Sequence, residues 1–325
     1  MDFTFSEEEE AARDLAAQIL GDKCTHERLR ALERAGTYFD RDTWAAFAQA
    51  GLLDGFGFVA TCLMLEQVGR FSAPIPLLPT LVTAAALRHF GATDLLDDPA
   101  RVLTSALVES PQDGVKICVP AGLDASHALV DTPEGLFLLD LEGPGVTRTR
   151  LDTTSGIPEA RLDFRDAPLT QIGGPDAVEW LLQRMTVATC AVMLGCCEQA
   201  LAMTAEYTGS RQQFDKPIGT FQAVGQRAAD AYIDTEAIRL TLWQAAWRLS
   251  EGLPAAAEVA VAKFWAAEGG QRVVHAAQHL HGGIGVDRDY PLHRYFLWAK
   301  QLELSLGGAT KQLRKLGALL AAEPV

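Results

Sequence analysis

The chain has 325 residues, 48% of them hydrophobic, and carries 28 basic against 42 acidic side chains for a formal net charge of −14 at pH 7. That length implies two or three subdomains rather than one small core, and the acidic balance argues against nucleic acid or an anionic membrane surface as a partner. The six cysteines follow no metal spacing and no disulfide framework, and the adjacent Cys196 and Cys197 suit neither an ordinary intrachain disulfide nor a zinc site.

Residues 1–99 read as an N-terminal helical domain. The opening residues lack the basic and apolar regions of a leader, and no run reaches 18 apolar residues, so no membrane span is expected. Ser6 precedes Glu7–Glu10, a cap followed by negative charge in a first turn. Ala11, Leu15, Ile19 and Leu20 then form one helical face. Asp40 and Asp42 open a short helix that Gly51 closes. Val59 to Arg70 forms another; Pro74, Pro76 and Pro79 interrupt the pattern, and Leu81 to Phe90 restarts it.

Residues 100–173 change character. Short β-rich runs at 102–108, 116–119, 128–130, 135–140, 146–149 and 160–164, bounded by Gly, Pro and Asp, give a small antiparallel β domain. Arg161, Asp163 and Arg165 alternate with Leu162 and Phe164, as in a half-exposed strand. His127 falls in a turn, solvated rather than catalytic. Cys62, Cys190, Cys196 and Cys197 lie in apolar helical patterns, which predicts buried free thiols and a reducing, cytoplasmic setting.

Residues 174–325 are helical again. Val178–Thr208, Ala223–Glu251, Ala255–Leu280 and Pro291–Leu320 are long periodic patterns with short links, the signature of a four-helix bundle. Trp243, Trp247 and Trp265 read as core or subunit-interface anchors. Two connections carry chemistry. Arg211 to Gln222 places a planar cation, Lys216, two aromatic faces (Phe214 and Phe221) and the Gln222 amide beside a helix N-terminus. That set suits a flat, phosphate-bearing ligand; the plainer alternative is a capping surface loop. The second is Gln278 followed by Gly282, Gly283 and Gly285, which permits close backbone approach or a tight reversal.

In this order the motifs resemble the acyl-CoA dehydrogenase family. Its Arg-x-x-Phe-Gly-x-Pro-Ile-x-x-Phe-Gln is matched at Arg211, Phe214, Pro217, Ile218, Phe221 and Gln222, with Asp215 in place of the Gly. Gln278, Gly282, Gly283 and Gly285 resemble its Gln-x-x-Gly-Gly-x-Gly. Asp289-Tyr-Pro-Leu-His-Arg294 is similar to the segment that follows, and Leu65-Glu-Gln-Val-Gly-Arg70 to an N-terminal Leu-Glu-Glu-x-Gly-Arg. The resemblance implies an α+β fold: an N-terminal helical domain (1–99), a reduced β domain (100–173) and a C-terminal four-helix bundle (174–325). It also implies FAD held mainly by a neighbouring subunit, with Arg211, Phe214, Gln222, Gln278, Gly282 and Gly283 as this chain's cofactor contacts.

The chain also departs from the family. The catalytic base, a Glu in Tyr-Glu-Gly-Thr, has no counterpart in Leu304-Ser-Leu-Gly-Gly-Ala-Thr310; Glu303 lies about one turn early. The family's second base position falls on Arg184-Met-Thr-Val187, and Glu198 is too far along. Of the family's flavin-binding β segments only a trace remains at Leu107–Pro111, and the Pro-Glu-x-x-Gly-Gly loop is missing between Leu53 and Gly57. This combination resembles the short non-catalytic subunit of heterotetrameric (α2β2) actinobacterial steroid side-chain acyl-CoA dehydrogenases. It implies no catalytic residue here, FAD shared with a longer catalytic subunit, a bulky acyl-CoA substrate and electron-transfer flavoprotein as acceptor. The alternatives are a homomeric enzyme with Glu303 as displaced base, or a flavin-free scaffold.

Overall fold

A computed structural model describes residues 4–107 and 113–322. In chain order the helices are α1 (Glu7–Lys23), α2 (His26–Arg34), α3 (Arg41–Gln49), α4 (Phe58–Arg70), α5 (Leu77–His89), α6 (Pro175–Ser210), α7 (Gln222–Ser250), α8 (Ala256–His281), α9 (Leu292–Leu304) and α10 (Ala309–Ala322). The strands between α5 and α6 are β1 (Leu103–Ala106), β2 (Val115–Pro120), β3 (His127–Thr132), β4 (Gly135–Asp140), β5 (Thr147–Leu151), β6 (Glu159–Asp163) and β7 (Thr170–Gly173). The arrangement is the α+β fold expected, but its compact units interleave along the chain instead of following one another. One gathers α1, α2, α4, α6 from Thr189 onward, and α7 to α10; the other is Ala35–Phe56 with Pro74–Ala188.

In the first unit the Ser6 cap is a complete capping box. The Ser6 hydroxyl accepts from the Glu9 N–H at 3.3 Å, and the Glu9 carboxylate accepts from the Ser6 N–H at 2.8 Å. Two glycines let α4 and α6 meet backbone to backbone. A Cβ on Gly69 would stand 2.0 Å from the Val192 carbonyl oxygen, and one on Gly195 would stand 1.9 Å from that of Glu66. This accounts for the Gly in Leu65–Arg70 by packing alone. The expected last helix, Pro291–Leu320, is two helices: Ser305–Gly308 breaks it, with Leu306 and Gly307 at φ 57° and 94°. Lys263, fully buried, donates from Nζ to the Leu302 carbonyl at 2.6 Å and to that of Glu303 at 3.3 Å, capping the end of α9. Burial pushes its ammonium down to about 8.

In the second unit one sheet runs β1-β3-β4-β7 and the other β2-β6-β5. The domain is not wholly antiparallel, because β1 pairs with β3 in parallel. His127 opens β3 opposite Asp140 rather than sitting in a turn. Ala160 and Leu162 of β6 are buried while Arg161 and Asp163 are half-buried, the alternation expected of a half-exposed strand.

Two expectations about composition meet the structure here. All six cysteines are free, five of them buried, and Cys118 is the exposed one. Burial pushes the Cys190 thiol up to about 12, which leaves it inert as a nucleophile at neutral pH. No run of 18 consecutive apolar residues occurs, but among the described residues one 18-residue stretch of α6 is apolar enough on average to cross a membrane. Yet 78% of that stretch is buried inside the fold, as in a core helix.

Candidate functional site

The stretch from Arg211 to Gln222 folds as a small arm between α6 and α7. Two further strands, β8 (Gln212–Gln213) and β9 (Lys216–Pro217), pair antiparallel, with Gln213 opposite Lys216. The two residues that join them, Phe214 and Asp215, both have positive φ, 54° and 61°. That is the requirement of a type I′ hairpin turn. Glycine fits such a position without strain and Asp is among the few residues that tolerate it, so Asp215 can replace the motif's Gly and keep the turn.

The root of the arm is fixed by its backbone. The Arg211 N–H donates to the Tyr207 carbonyl and the Ile218 N–H to the Arg211 carbonyl, both at 2.8 Å. Within the arm Phe221 meets Phe214 edge-on at 6.1 Å, and the Lys216 ammonium lies 4.5 Å from the Phe221 ring centroid. Lys216 is thereby engaged in a cation–π contact. Phe214 remains 86% exposed. Arg211 and Gln222 are exposed too, and neither side chain has a hydrogen-bond or ionic partner among the described residues.

The glycine run forms the second element. α8 ends at His281, and Gly282 follows at φ 62°, ψ −139°, a region that residues with a side chain hardly enter. Gly282 and Gly283 are exposed, and a Cβ on either would meet nothing within 4 Å, so packing does not demand glycine at 283. Gly285 is buried, and its Cβ would stand 2.8 Å from the Gln278 carbonyl oxygen. Gln278 is half-buried and stands four positions before Gly282, one more than the motif's spacing. The residue at the motif's spacing is His279, which is exposed. One helical position turns a side chain by about 100°, so Gln278 and His279 leave α8 in different directions. Counting residues would have raised His279 beside Gln278.

The two elements meet through three rings. The Tyr207 ring, one turn before Arg211, stacks on His281 at 4.6 Å and 20°. His281 is 3% exposed. Its Nδ1 lies 2.7 Å from the Ala277 carbonyl oxygen and must donate to it; Nε2 then accepts from the Tyr290 hydroxyl at 3.1 Å. Burial lowers the imidazole's affinity for a proton and keeps it neutral at pH 7. The rest of the Asp289–Arg294 segment serves the fold. Asp289 pairs with Arg30, and Arg294 donates to Glu33 at 2.5 Å and to His26 Nδ1 at 2.9 Å, tying the start of α9 to α2.

Neither segment expected to correspond to a base position offers a free carboxylate among the described residues. Residues 304–310 contain none, and Glu303 is held by Lys300 at 2.8 Å. On α6, Arg184 lies 3.7 Å over the Trp180 ring, and burial pushes its guanidinium down to about 10. Of the trace at Leu107–Pro111, residues 108–111 lie outside the described residues. One carboxyl of unusual character lies elsewhere and was read only as part of a motif. Glu66 on α4 is 8% exposed, and burial, then the Glu198 charge, pushes it well above the usual carboxylate range. Arg239 of α7 holds Glu198 at 2.5 Å.

The chemistry on offer is an unpaired guanidinium, an outward aromatic ring and glycine backbone open to close approach. These fit a flat, phosphate-bearing cofactor such as FAD presented from outside the chain.

Residues 173–318 match the family described as "Acyl-CoA dehydrogenase, C-terminal domain". Over the full length of both chains the protein is 40% identical to acyl-CoA dehydrogenase FadE27 of Mycobacterium tuberculosis (strain ATCC 25618 / H37Rv), and over 98% of each chain it is 28% identical to FadE28 of the same strain. It superposes on a chain of the ChsE4-ChsE5 complex from Mycobacterium tuberculosis with a TM-score of 0.95, 40% identity and full coverage of both. A chain of the Tcur3481-Tcur3483 steroid ACAD G363A variant gives 0.91 at 41% identity, covering 97% of this chain and 98% of that one. The chain belongs to the acyl-CoA dehydrogenase family of FAD-dependent oxidoreductases.

Proposed function

We propose that this chain is the short, non-catalytic subunit of a heterotetrameric acyl-CoA dehydrogenase, and that it completes an FAD site held mainly by a longer catalytic partner. The observation that carries the reading is the Arg211–Gln222 arm. Its hairpin is held by backbone hydrogen bonds, yet it leaves Arg211 exposed with no side-chain partner among the described residues and Phe214 86% exposed, met edge-on by Phe221. In the complex the Arg211 guanidinium binds pyrophosphate oxygens, the Gly282 and Gly283 backbone allows close approach, and Phe214 packs on a flat ring. Gln222 and Gln278 supply amides to polar edges. When bound, FAD supplies the hydride acceptor for forming an α,β-enoyl-CoA, and the partner supplies the base.

Two similar solved chains come from assemblies named for two components, ChsE4-ChsE5 and Tcur3481-Tcur3483, and the second is called a steroid ACAD. They support an α2β2 assembly and a bulky, steroid side-chain acyl-CoA as substrate. Electron-transfer flavoprotein is the proposed acceptor, and the free thiols suit a cytoplasmic setting. A homomeric enzyme using Glu303 is the weaker reading, because Lys300 already pairs with that carboxylate. The test is expression of the chain alone and with its partner. The expected result is colourless, inactive protein alone and flavin with activity only in the complex. Yellow, active protein from this chain alone overturns the proposal.

A further inference from the structure

We propose that His281 is a positioning residue that sets the arm and the glycine turn in register, so that both reach the cofactor together. This rests on the reading that the two elements serve a partner-held flavin. The arm's root depends on Tyr207, whose carbonyl accepts the Arg211 N–H at 2.8 Å. The turn begins at the residue after His281. Between them stands one ring, 3% exposed and held on three sides. The Tyr207 ring stacks on it at 4.6 Å, the Ala277 carbonyl accepts from its Nδ1 at 2.7 Å, and the Tyr290 hydroxyl donates to its Nε2 at 3.1 Å.

Each contact removes a different freedom. The stack fixes the distance between the end of α6 and the end of α8. The two hydrogen bonds fix the ring's rotation, because only the tautomer with hydrogen on Nδ1 satisfies both partners. Gly282 and Gly283 open the turn without side chains of their own, so the placement of these two residues leans on the residue before them. The acidic and basic groups of the neighbouring segment, Asp289 and Arg294, are committed to α2 and leave His281 to make this connection.

The test uses the complex purified from its source organism through a tag on this chain, and measures the rate at which FAD is released on dilution, with the complex's Tm alongside. Tyr290→Phe removes one donor and little volume. His281→Leu removes both hydrogen bonds, whereas His281→Gln keeps a donor and an acceptor. The expected result is release about tenfold faster for Tyr290→Phe and His281→Leu, near-native release for His281→Gln, and faster release than any change in Tm explains. Native release from Tyr290→Phe and His281→Leu, with Arg211→Ala still releasing FAD faster, overturns the role of His281 and leaves the cofactor reading standing. Equal acceleration by His281→Leu and His281→Gln also overturns it. If Arg211→Ala has no effect either, the cofactor reading itself fails.

Discussion

The ring of Tyr207 lies 4.6 Å from that of His281, and through this stack the last turn of α6 is joined to the last residue of α8. Two of the groups proposed to reach the cofactor leave from these two helix ends: Arg211 four residues after Tyr207, and Gly282 directly after His281. The arm is thus anchored in the bundle, with Arg211 and Phe214 exposed.

Phe214 separates folding from binding. With 86% of its surface exposed, it contributes little to the stability of the chain. Phe214→Ala is expected to change the free energy of unfolding by less than about 0.5 kcal/mol, while weakening FAD retention in the complex by roughly 2- to 10-fold, the worth of one aromatic packing contact. Denaturant melts of the chain and flavin titration of the complex check the two halves.

Asp215 holds φ at 61° where glycine would be unstrained. Asp215→Gly is therefore expected to leave the hairpin in place and to raise stability by up to about 1 kcal/mol. An unchanged or lower Tm would mean that the aspartate makes a compensating contact.

Much of this was legible in the sequence, for physical reasons. Long apolar periodicity reports helices, so α6, α7 and α8 were visible, and the chemistry of Arg211–Gln222 marked the arm. The break at Ser305–Gly308 carries a signal in its Gly307-Gly308 pair, which the apolar periodicity on either side outweighs, and Leu306, also at positive φ, adds none. The parallel pairing of β1 with β3 depends on a tertiary choice that no local pattern carries. The Tyr207–His281–Tyr290 contact joins residues distant in sequence, each of which alone reads as an ordinary helix or loop residue. Likewise Glu66 is abnormal because the fold buries it and, secondarily, because α6 brings Glu198 to it, neither of which its place in the sequence announces.

The Gly195 contact gives a sharp test of packing. A Cβ there would stand 1.9 Å from the Glu66 carbonyl oxygen, and backbone cannot yield as a side chain can. Gly195→Ala is expected to cost more than about 3 kcal/mol or to prevent folding. Gly317 in α10 is exposed, and a Cβ on it would meet nothing within 4 Å. Gly317→Ala is expected to stabilise by up to about 1 kcal/mol. Circular-dichroism melts of the two variants should move in opposite directions.

Glu66 gives the chain a pH dependence of definite sign. Its ordinary value is 4.5, and in the folded chain it is raised by burial and by Glu198, with Arg239 and Arg70 opposing. A raised carboxyl stabilises the fold fully below its unfolded value. That contribution falls as pH climbs and is gone once the pH passes the folded value. Stability should therefore decline from pH 6 to pH 9, and Glu66→Gln should flatten that decline by an amount on the order of 2 kcal/mol. Denaturant midpoints at the two pH values decide it; a parallel decline in the variant would assign the effect to another group.

On the function proposed above, this chain lends Arg211 to a flavin that its partner holds. The most direct measurement is the FAD content of the purified complex carrying Arg211→Ala. The guanidinium is exposed and without a partner among the described residues, so the variant should fold and assemble normally. The expected result is a complex of native stoichiometry that has lost most of its FAD, with affinity down by about tenfold or more. A complex that keeps its full complement of FAD and its native affinity would contradict it.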